Sequence, residues 1–383
     1  MIKMVTAYTR EADDAQKAVC EILGQLNLEL NLRRNSVGIM MYYPDFCDTG
    51  VAKAICAALP FDVIGGSTSD ASVPGAMDDI ILTLAVLTSD DANFAAGAAR
   101  VCGGATRDAL GALCHNLRSR LPEPPVLFYT LFPILDDVPT DEYIDAIDEF
   151  SGGVPLFGSI AFTPNVDFSD VRTFCNGEEY RDVVALVAIS GACSPKFYTT
   201  TMSEATILHQ AAIITDSERN CMRGINEMPA LEFFESIGLA ENGRVAGISS
   251  MPLILTLPDG SQIIRVPYKV TDEGYILAHG STPSGSTIRF GRGDSNYVVT
   301  SAEELLSIIS GHDGDAVFIY SCVARKWAMG ARSEEEMRKV AEYLDGKFQY
   351  SYACSGGEIC PVPRDDGTLV NRLHHFTLIA CSL

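Results

Sequence analysis

The sequence predicts a mixed α/β fold, with β-sheets and flanking helices built from three repeated α-β-α-β-β units. Three observations carry this expectation. Helical spacing alternates with short apolar runs of strand length, a small-residue corner containing glycine follows the second strand of each unit, and the order recurs three times along 383 residues. A chain of this length exceeds one ordinary domain. Two are expected, an N-terminal one over 1–225 holding two units and a C-terminal one over 226–383 holding the third.

The first residues, through Tyr8, read as a strand. In the first unit, 11–26 has the period of an amphipathic helix. Val37-Gly38-Ile39-Met40-Met41-Tyr42-Tyr43 is a strand stopped by Pro44, because proline cannot donate to a ladder. A short helix near 51–58 leads to a strand at 61–64, the corner Gly65-Gly66-Ser67-Thr68, a loop, and a β-run at 80–87. The second unit repeats the order: helix 106–117, strand 125–130, helix 140–150 opened by Thr140-Asp141, corner Leu156-Phe157-Gly158-Ser159, and β-run 183–189. In the third, helix 302–310 is capped by Ser301 and carries Glu303 and Glu304 in its first turn, where they suit the helix dipole. Strand 316–322, helix 333–344, strand 348–352 with the corner Ser355-Gly356-Gly357-Glu358, and closing strand 376–383 complete it. Residues 206–300 stand outside the unit. They show a helix near 230–237 and β-rich stretches with turns at Pro258-Asp259-Gly260 and Asp272-Glu273-Gly274.

Composition narrows the function. Hydrophobic residues make up 47% and charged residues 20%, ordinary for a protein with a large core. Fifty acidic residues against 28 basic ones give a net charge of −22, a field that repels phosphate backbones and anionic lipid, so no nucleic acid and no membrane is expected as a partner. The apolar runs are too short to cross a bilayer, and the N-terminus has no signal-peptide core. The twelve cysteines are scattered, many in apolar settings, without Cys-x-x-Cys pairs or zinc spacing; reduced thiols and a cytoplasmic location follow as expectations, with no metal. No cofactor is expected either: Gly291-Arg292-Gly293-Asp294 lacks the context of a phosphate loop and reads as a turn.

Several residues invite chemistry. Ser67 sits in a glycine corner, which serves as a tight turn or ligand cradle; as a nucleophile elbow it lacks the Gly-x-Ser-x-Gly pattern leading into a helix. Cys322 ends an apolar strand three residues before Arg325, and a nearby cation lowers a thiol pKa. It serves either as a buried small residue lining a pocket or, with His374 or His375 as base, as a nucleophile. Arg325 and Glu358 are complementary charges. They suit the carboxylate and ammonium of a zwitterion, or they bond to each other and staple the domain. His374 and His375 are adjacent and point to opposite faces of a strand, so one metal cannot use both. Trp327, the single tryptophan, reads as core or pocket wall.

Specific strings in the last third carry a family resemblance. Tyr320-Ser321-Cys322-Val323-Ala324-Arg325 with Met329-Gly330, then Cys354-Ser355-Gly356-Gly357-Glu358-Ile359, then Leu373-His374-His375-Phe376-Thr377-Leu378 resemble, in that order, the FIST C-terminal domain. Pro229-Ala230-Leu231-Glu232-Phe233-Phe234 and Val266-Pro267-Tyr268 resemble its beginning, and the corners at Gly65-Gly66 and Gly158-Ser159 resemble those of the FIST N-terminal domain. His375 stands where the family carries Asn. The resemblance implies a sensory module of signal transduction that binds a small molecule, an amino acid or related metabolite. The implied ligand-binding positions are Cys322, Arg325, Gly357, Glu358, Gly66, Ser67, Gly158, Ser159 and His374, with no catalytic residue. No segment reads as a signalling output, so a separate signalling protein is the expected partner. The competing expectation is a Cys- or Ser-dependent amidohydrolase acting on a similar molecule through Cys322 or Ser67.

Overall fold

The computed structural model describes residues 2–135, 139–164, 170–202, 204–245, 251–311 and 316–383. The first unit runs β1 (Lys3–Thr9), α1 (Ala15–Leu26), α2 (Leu28–Asn31), β2 (Asn35–Tyr42), α3 (Asp45–Asp48), α4 (Val51–Ala57), β3 (Val63–Ser67), a small hairpin β4 (Ala71–Val73) and β5 (Ala76–Asp78), and β6 (Leu82–Ser89). The second runs β7 (Ala92–Arg100), α5 (Thr106–Ser119), β8 (Pro125–Phe132), α6 (Asp141–Ser151), β9 (Leu156–Ile160), the hairpin β10 (Thr173–Cys175) and β11 (Glu178–Tyr180), and β12 (Val183–Gly191).

The third unit opens with β13 (Lys196–Thr199) and is then interrupted. The inserted segment holds β14 (Ile207–Glu218), β15 (Cys221–Ile225), β16 (Met228–Pro229), α7 (Ala230–Ser236), the pair β17 (Ala240–Glu241) and β18 (Arg244–Val245), β19 (Leu253–Thr256), β20 (Gln262–Arg265), β21 (Pro267–Val270), β22 (Ile276–Ala278) and β23 (Thr287–Gly291). The unit resumes with α8 (Ser295–Ser310), β24 (Ala316–Cys322), α9 (Val323–Met329), α10 (Glu335–Leu344), β25 (Gln349–Ser355), the hairpin β26 (Glu358–Pro363) and β27 (Leu369–His374), and β28 (Leu378–Ser382).

Three six-stranded sheets result, and they share one order. Sheet 1 reads β1-β6-β2-β3-β10-β11, sheet 2 β7-β12-β8-β9-β26-β27, and sheet 3 β13-β28-β24-β25-β4-β5. In each, an edge strand and then a closing strand lie antiparallel beside a central strand, whose other neighbour runs parallel. The last two strands of every sheet come from another unit. Unit 1 gives its hairpin to sheet 3, unit 2 to sheet 1 and unit 3 to sheet 2, so the exchange closes on itself. The segments between corner and β-run that the sequence reads as loops in the first two units are these hairpins, and the second and third units also gain an edge strand in front of their first helix.

One face of each sheet turns inward to a shared core, with Met41, Tyr129 and Tyr320 from the three central strands. Tyr129 and Tyr320 share a hydroxyl–hydroxyl bond, and the Tyr320 hydroxyl donates to Met41 Sδ. The outer faces carry the helices: α1 and α4 over sheet 1, α5 and α6 over sheet 2, α8 and α10 over sheet 3. The inserted strands form a further sheet, β20-β19-β23-β14-β15-β22-β21 with β16 on β15, closed over by α7.

Two helix expectations are corrected. The helix expected at 302–310 with a Ser301 cap begins at Ser295, and its cap is Asp294, whose carboxylate accepts from the backbone N–H of Asn296 and Tyr297. The β-branched run Val298-Val299-Thr300 disfavours a helix on propensity alone, but burial of Tyr297, Val298 and Val299 overrides it. The 316–322 strand is followed at once by α9, which fell between the sequence-predicted elements.

Candidate functional site

The three corners meet at the centre of the molecule. Phe162 N donates to Ser67 O (2.8 Å), Gly356 N to Ile160 O (3.0 Å), and Cys354 N to Asp70 O (3.1 Å), a ring of backbone bonds passing from unit to unit. Gly66 lies one residue before the end of its strand, Gly158 two before, and Gly357 two after, so the three glycines share a corner without sharing a position. The packing explains the residue type at Gly158, where a Cβ would lie 1.9 Å from Thr130 O. At Gly66 the nearest contact would be Ala161 Cβ at 3.3 Å.

On the unit 1 side of this centre, Ser67 is fully buried. Its hydroxyl accepts from Arg172 N at 3.0 Å and lies 3.3 Å from Arg172 O. That is cross-strand bonding, which ties the end of β3 to the hairpin of the second unit.

On the other side, six of the remaining positions come together. Glu358 pairs with Ser159 on β9 and with His374 on β27, while Ile359 pairs with Gly158. Ser159 Oγ donates to Ser355 Oγ at 2.8 Å, and Ser355 Oγ accepts from Gly357 N at 3.1 Å. The Glu358 carboxyl is wholly buried. Its Oε2 accepts from Thr377 Oγ1 at 2.8 Å, and among the described residues its Oε1 has no partner. Burial pushes its pKa up to about 8 against the opposing pull of the Thr377 and Ser355 hydrogen bonds, so at neutral pH this acid holds its proton. Cys322 sits beside it. Burial and then the Glu358 charge push the thiol well up, the reverse of what a cysteine nucleophile needs.

Arg325 is turned elsewhere. Its Nε donates to Glu336 Oε1 on α10 at 3.0 Å, and its Nη2 to Val298 O and Ser301 Oγ. Burial opposes its charge, but Glu336 outweighs burial and keeps it protonated. Neither a bond to Glu358 nor an open ligand fork describes this guanidinium; it ties α9 to α8 and α10, and the partner Glu336 is one that sequence reading missed.

His374 and Thr377 face outward from this cluster into a cleft of about 600 Å3. The cleft lies between β13, the β26–β27 hairpin and inserted strands β19, β20 and β23. It occurs where unit 3 departs from its siblings, because β13 has only 4 residues against 7 in β1 and 9 in β7 before the chain leaves for the insertion. Its apolar wall includes Phe197, Met202, Ile207 and Ile254; Thr199, Thr200 and Thr201 contribute polar groups. Arg289 stands at the rim, its Nη1 donating to Glu204, whose side chain is 77% exposed. His374 is neutral: burial first, then Arg265, lower its pKa to about 3, and its Nε2 lies 3.2 Å from Cys360 O. Pro361 and Pro363 share the side of β26 on which Gly357 bonds to β9, so the edge left open beyond β9 lacks N–H donors and resists an added strand. Arg289 and the threonine run were not singled out from sequence. The run of three threonines next to a short strand was the available signal.

Among the described residues, no helix is long and apolar enough to cross a membrane, and no group of three or more His, Cys, Asp or Glu could hold a metal ion. The family model of the FIST N domain matches residues 36–228, and that of the FIST C domain matches residues 230–361. No curated protein matches the chain.

Proposed function

We propose, from the premise that this chain belongs to the FIST family, whose domains are sensory domains of signal transduction proteins, that it is a sensor for an amino acid or related small metabolite bound in the cleft beside His374 and Thr377. The observation that carries this reading is the position of the cleft at the one place where the repeated architecture is interrupted. Size and chemistry agree with it. A cavity of about 600 Å3 with an apolar wall and a few convergent polar groups is the usual design of a small-molecule site. Arg289 supplies a fork for a carboxylate, and its present partner is an exposed Glu204 whose surface ion pair is worth only about 0–1 kcal/mol, so exchange for a ligand carboxylate costs little. The proline-blocked edge of β26 argues for a compact ligand over an extended peptide. The raised thiol of Cys322 and the cross-strand bonding that occupies the Ser67 hydroxyl favour sensing over hydrolysis. In this reading a separate signalling protein responds to occupancy.

A thermal-shift screen of L-amino acids and their simple derivatives tests the proposal. At one hundred times its Kd, a ligand stabilises the folded chain by about 2.7 kcal/mol. Arg289→Ala is expected to abolish that shift while leaving the melting temperature of the free protein within a degree or two. A screen without hits, or a hit that Arg289→Ala leaves intact, removes the assignment of the ligand to this cleft.

A further inference from the structure

Thr377 belongs to two environments at once. It lines the cleft, and it donates twice to the buried carboxyl of Glu358, from its hydroxyl at 2.8 Å and from its backbone N–H at 3.4 Å. The residue before it, Phe376, is fully buried with φ of +58°, a conformation that costs a bulky aromatic side chain and persists only where the surroundings enforce it. The surroundings do. The Phe376 ring stacks on Tyr297 at 6.1 Å and fills the space that a side chain at Gly293 would need, while Cys322 N donates to Thr377 O at 3.0 Å. The turn at Phe376 is what lets His374 and Thr377 sit on the cleft wall while Thr377 reaches inward to Glu358.

We propose that Thr377 couples the cleft to Glu358, so that ligand occupancy and protonation of this buried acid are linked. A threonine hydroxyl has one proton to donate. When a ligand acceptor takes it from the cleft side, Glu358 loses a bond that stabilises its charged form, and the carboxyl holds its own proton more tightly. Near and above pH 8, where Glu358 is partly ionised, occupancy therefore takes up a proton at Glu358, and by reciprocity ionisation of Glu358 weakens binding. The groups facing the carboxyl are consistent with this coupling. Cys322 on β24 is neutral, Arg325 on α9 is engaged by Glu336, Ser355 on β25 is held by Ser159 on β9, and the His374 imidazole on β27 is neutral and turned to Cys360 O. Of these, only the Ser355 hydroxyl also favours the charged carboxylate by a hydrogen bond, and it does so less than Thr377.

The inference rests on the cleft being the ligand site, but its test uses no ligand, so the two stand or fall separately. The chain is labelled with 13C at the glutamate carboxyls, and the Glu358 resonance is assigned by its loss in Glu358→Gln. In the wild type it is expected to titrate near pH 8. Thr377→Val should move the midpoint up by about one unit or more, since a hydrogen bond to a charged group is worth about 1.5–3 kcal/mol. Thr377→Ser, which keeps the hydroxyl, should restore it. A midpoint unchanged in Thr377→Val overturns the coupling. If the valine variant does not fold, Thr377→Ala is read in its place, and a midpoint unchanged there overturns the coupling equally.

Discussion

At the scale of single residues, the interior holds more ionisable chemistry than its burial would suggest, and each group has a different fate. Arg325 and Glu336 form a buried pair, and removing one partner strands the other. Arg325→Ala is expected to cost about 3–5 kcal/mol and to lower the melting temperature with or without ligand, which scanning calorimetry reads directly. Glu358 and the histidines shape the pH profile in opposite directions. The Glu358 pKa is raised from 4.5 to about 8, so its contribution is complete below pH 4.5 and is lost as pH rises through 8. His279 and His374 are lowered from 6.5 to about 4 and about 3, chiefly by burial, so their contribution is complete above pH 6.5 and is lost as pH falls toward those values. Between pH 4.5 and 6.5 three buried histidines, His375 included, oppose Glu358 and Asp148, whose pKa burial raises to about 6, whereas above 6.5 the histidines no longer contribute and the Glu358 loss continues. Stability should therefore decline from pH 6.5 toward 8, and Glu358→Gln should flatten that limb while leaving the melting temperature at pH 5 nearly unchanged. An alkaline limb of equal slope in both proteins would remove Glu358 as its cause.

At the scale of elements, the corners separate what a glycine must do from what it happens to do. Gly158→Ala would drive a Cβ into the Thr130 carbonyl across a parallel pair, and no folded protein is expected. Gly66→Ala meets only side chains at 3.3 Å and beyond, so a cost of about 1–3 kcal/mol is expected, readable as a shift in urea midpoint. The central and closing strands were legible because they are buried runs: β24 reads buried at all seven positions and β6 at all eight. The hairpins were not. β4 and β5 have three residues each and β10 and β11 likewise, too short for a period to register, and their partners are distant strands that no local signal announces. The candidate site divides the same way. Cys322, Gly357, Glu358 and His374 were singled out because they lie in compact motifs, whereas Arg289 joins the cleft only through the insertion, Thr199 and Thr200 through pairing with β28, and Glu336 through a helix–helix contact.

At the scale of the whole molecule, the two halves defined by the family models are not separable bodies, because unit 1 supplies two strands to sheet 3 and unit 3 supplies two to sheet 2. Residues 1–225 and 226–383 expressed apart are expected to be insoluble or partly unfolded, and to recover the native circular dichroism when co-expressed. None of the twelve cysteines is bridged, and free-thiol counting in denaturant without reductant should return all twelve. The circular exchange of hairpins also sets a timetable. On the ribosome, β4 and β5 emerge early, yet their partner β25 is made only at 349–355, and sheet 2 lacks its last strands until residue 374 is out. For most of its synthesis the nascent chain carries an unpaired hairpin and an open sheet edge, the features that favour capture by other chains. Such long-range pairing also makes folding slow. The protein should thus depend on a chaperone during translation far more than its stability once complete would indicate, with aggregation yield in a cell-free system rising steeply when holdases are withheld.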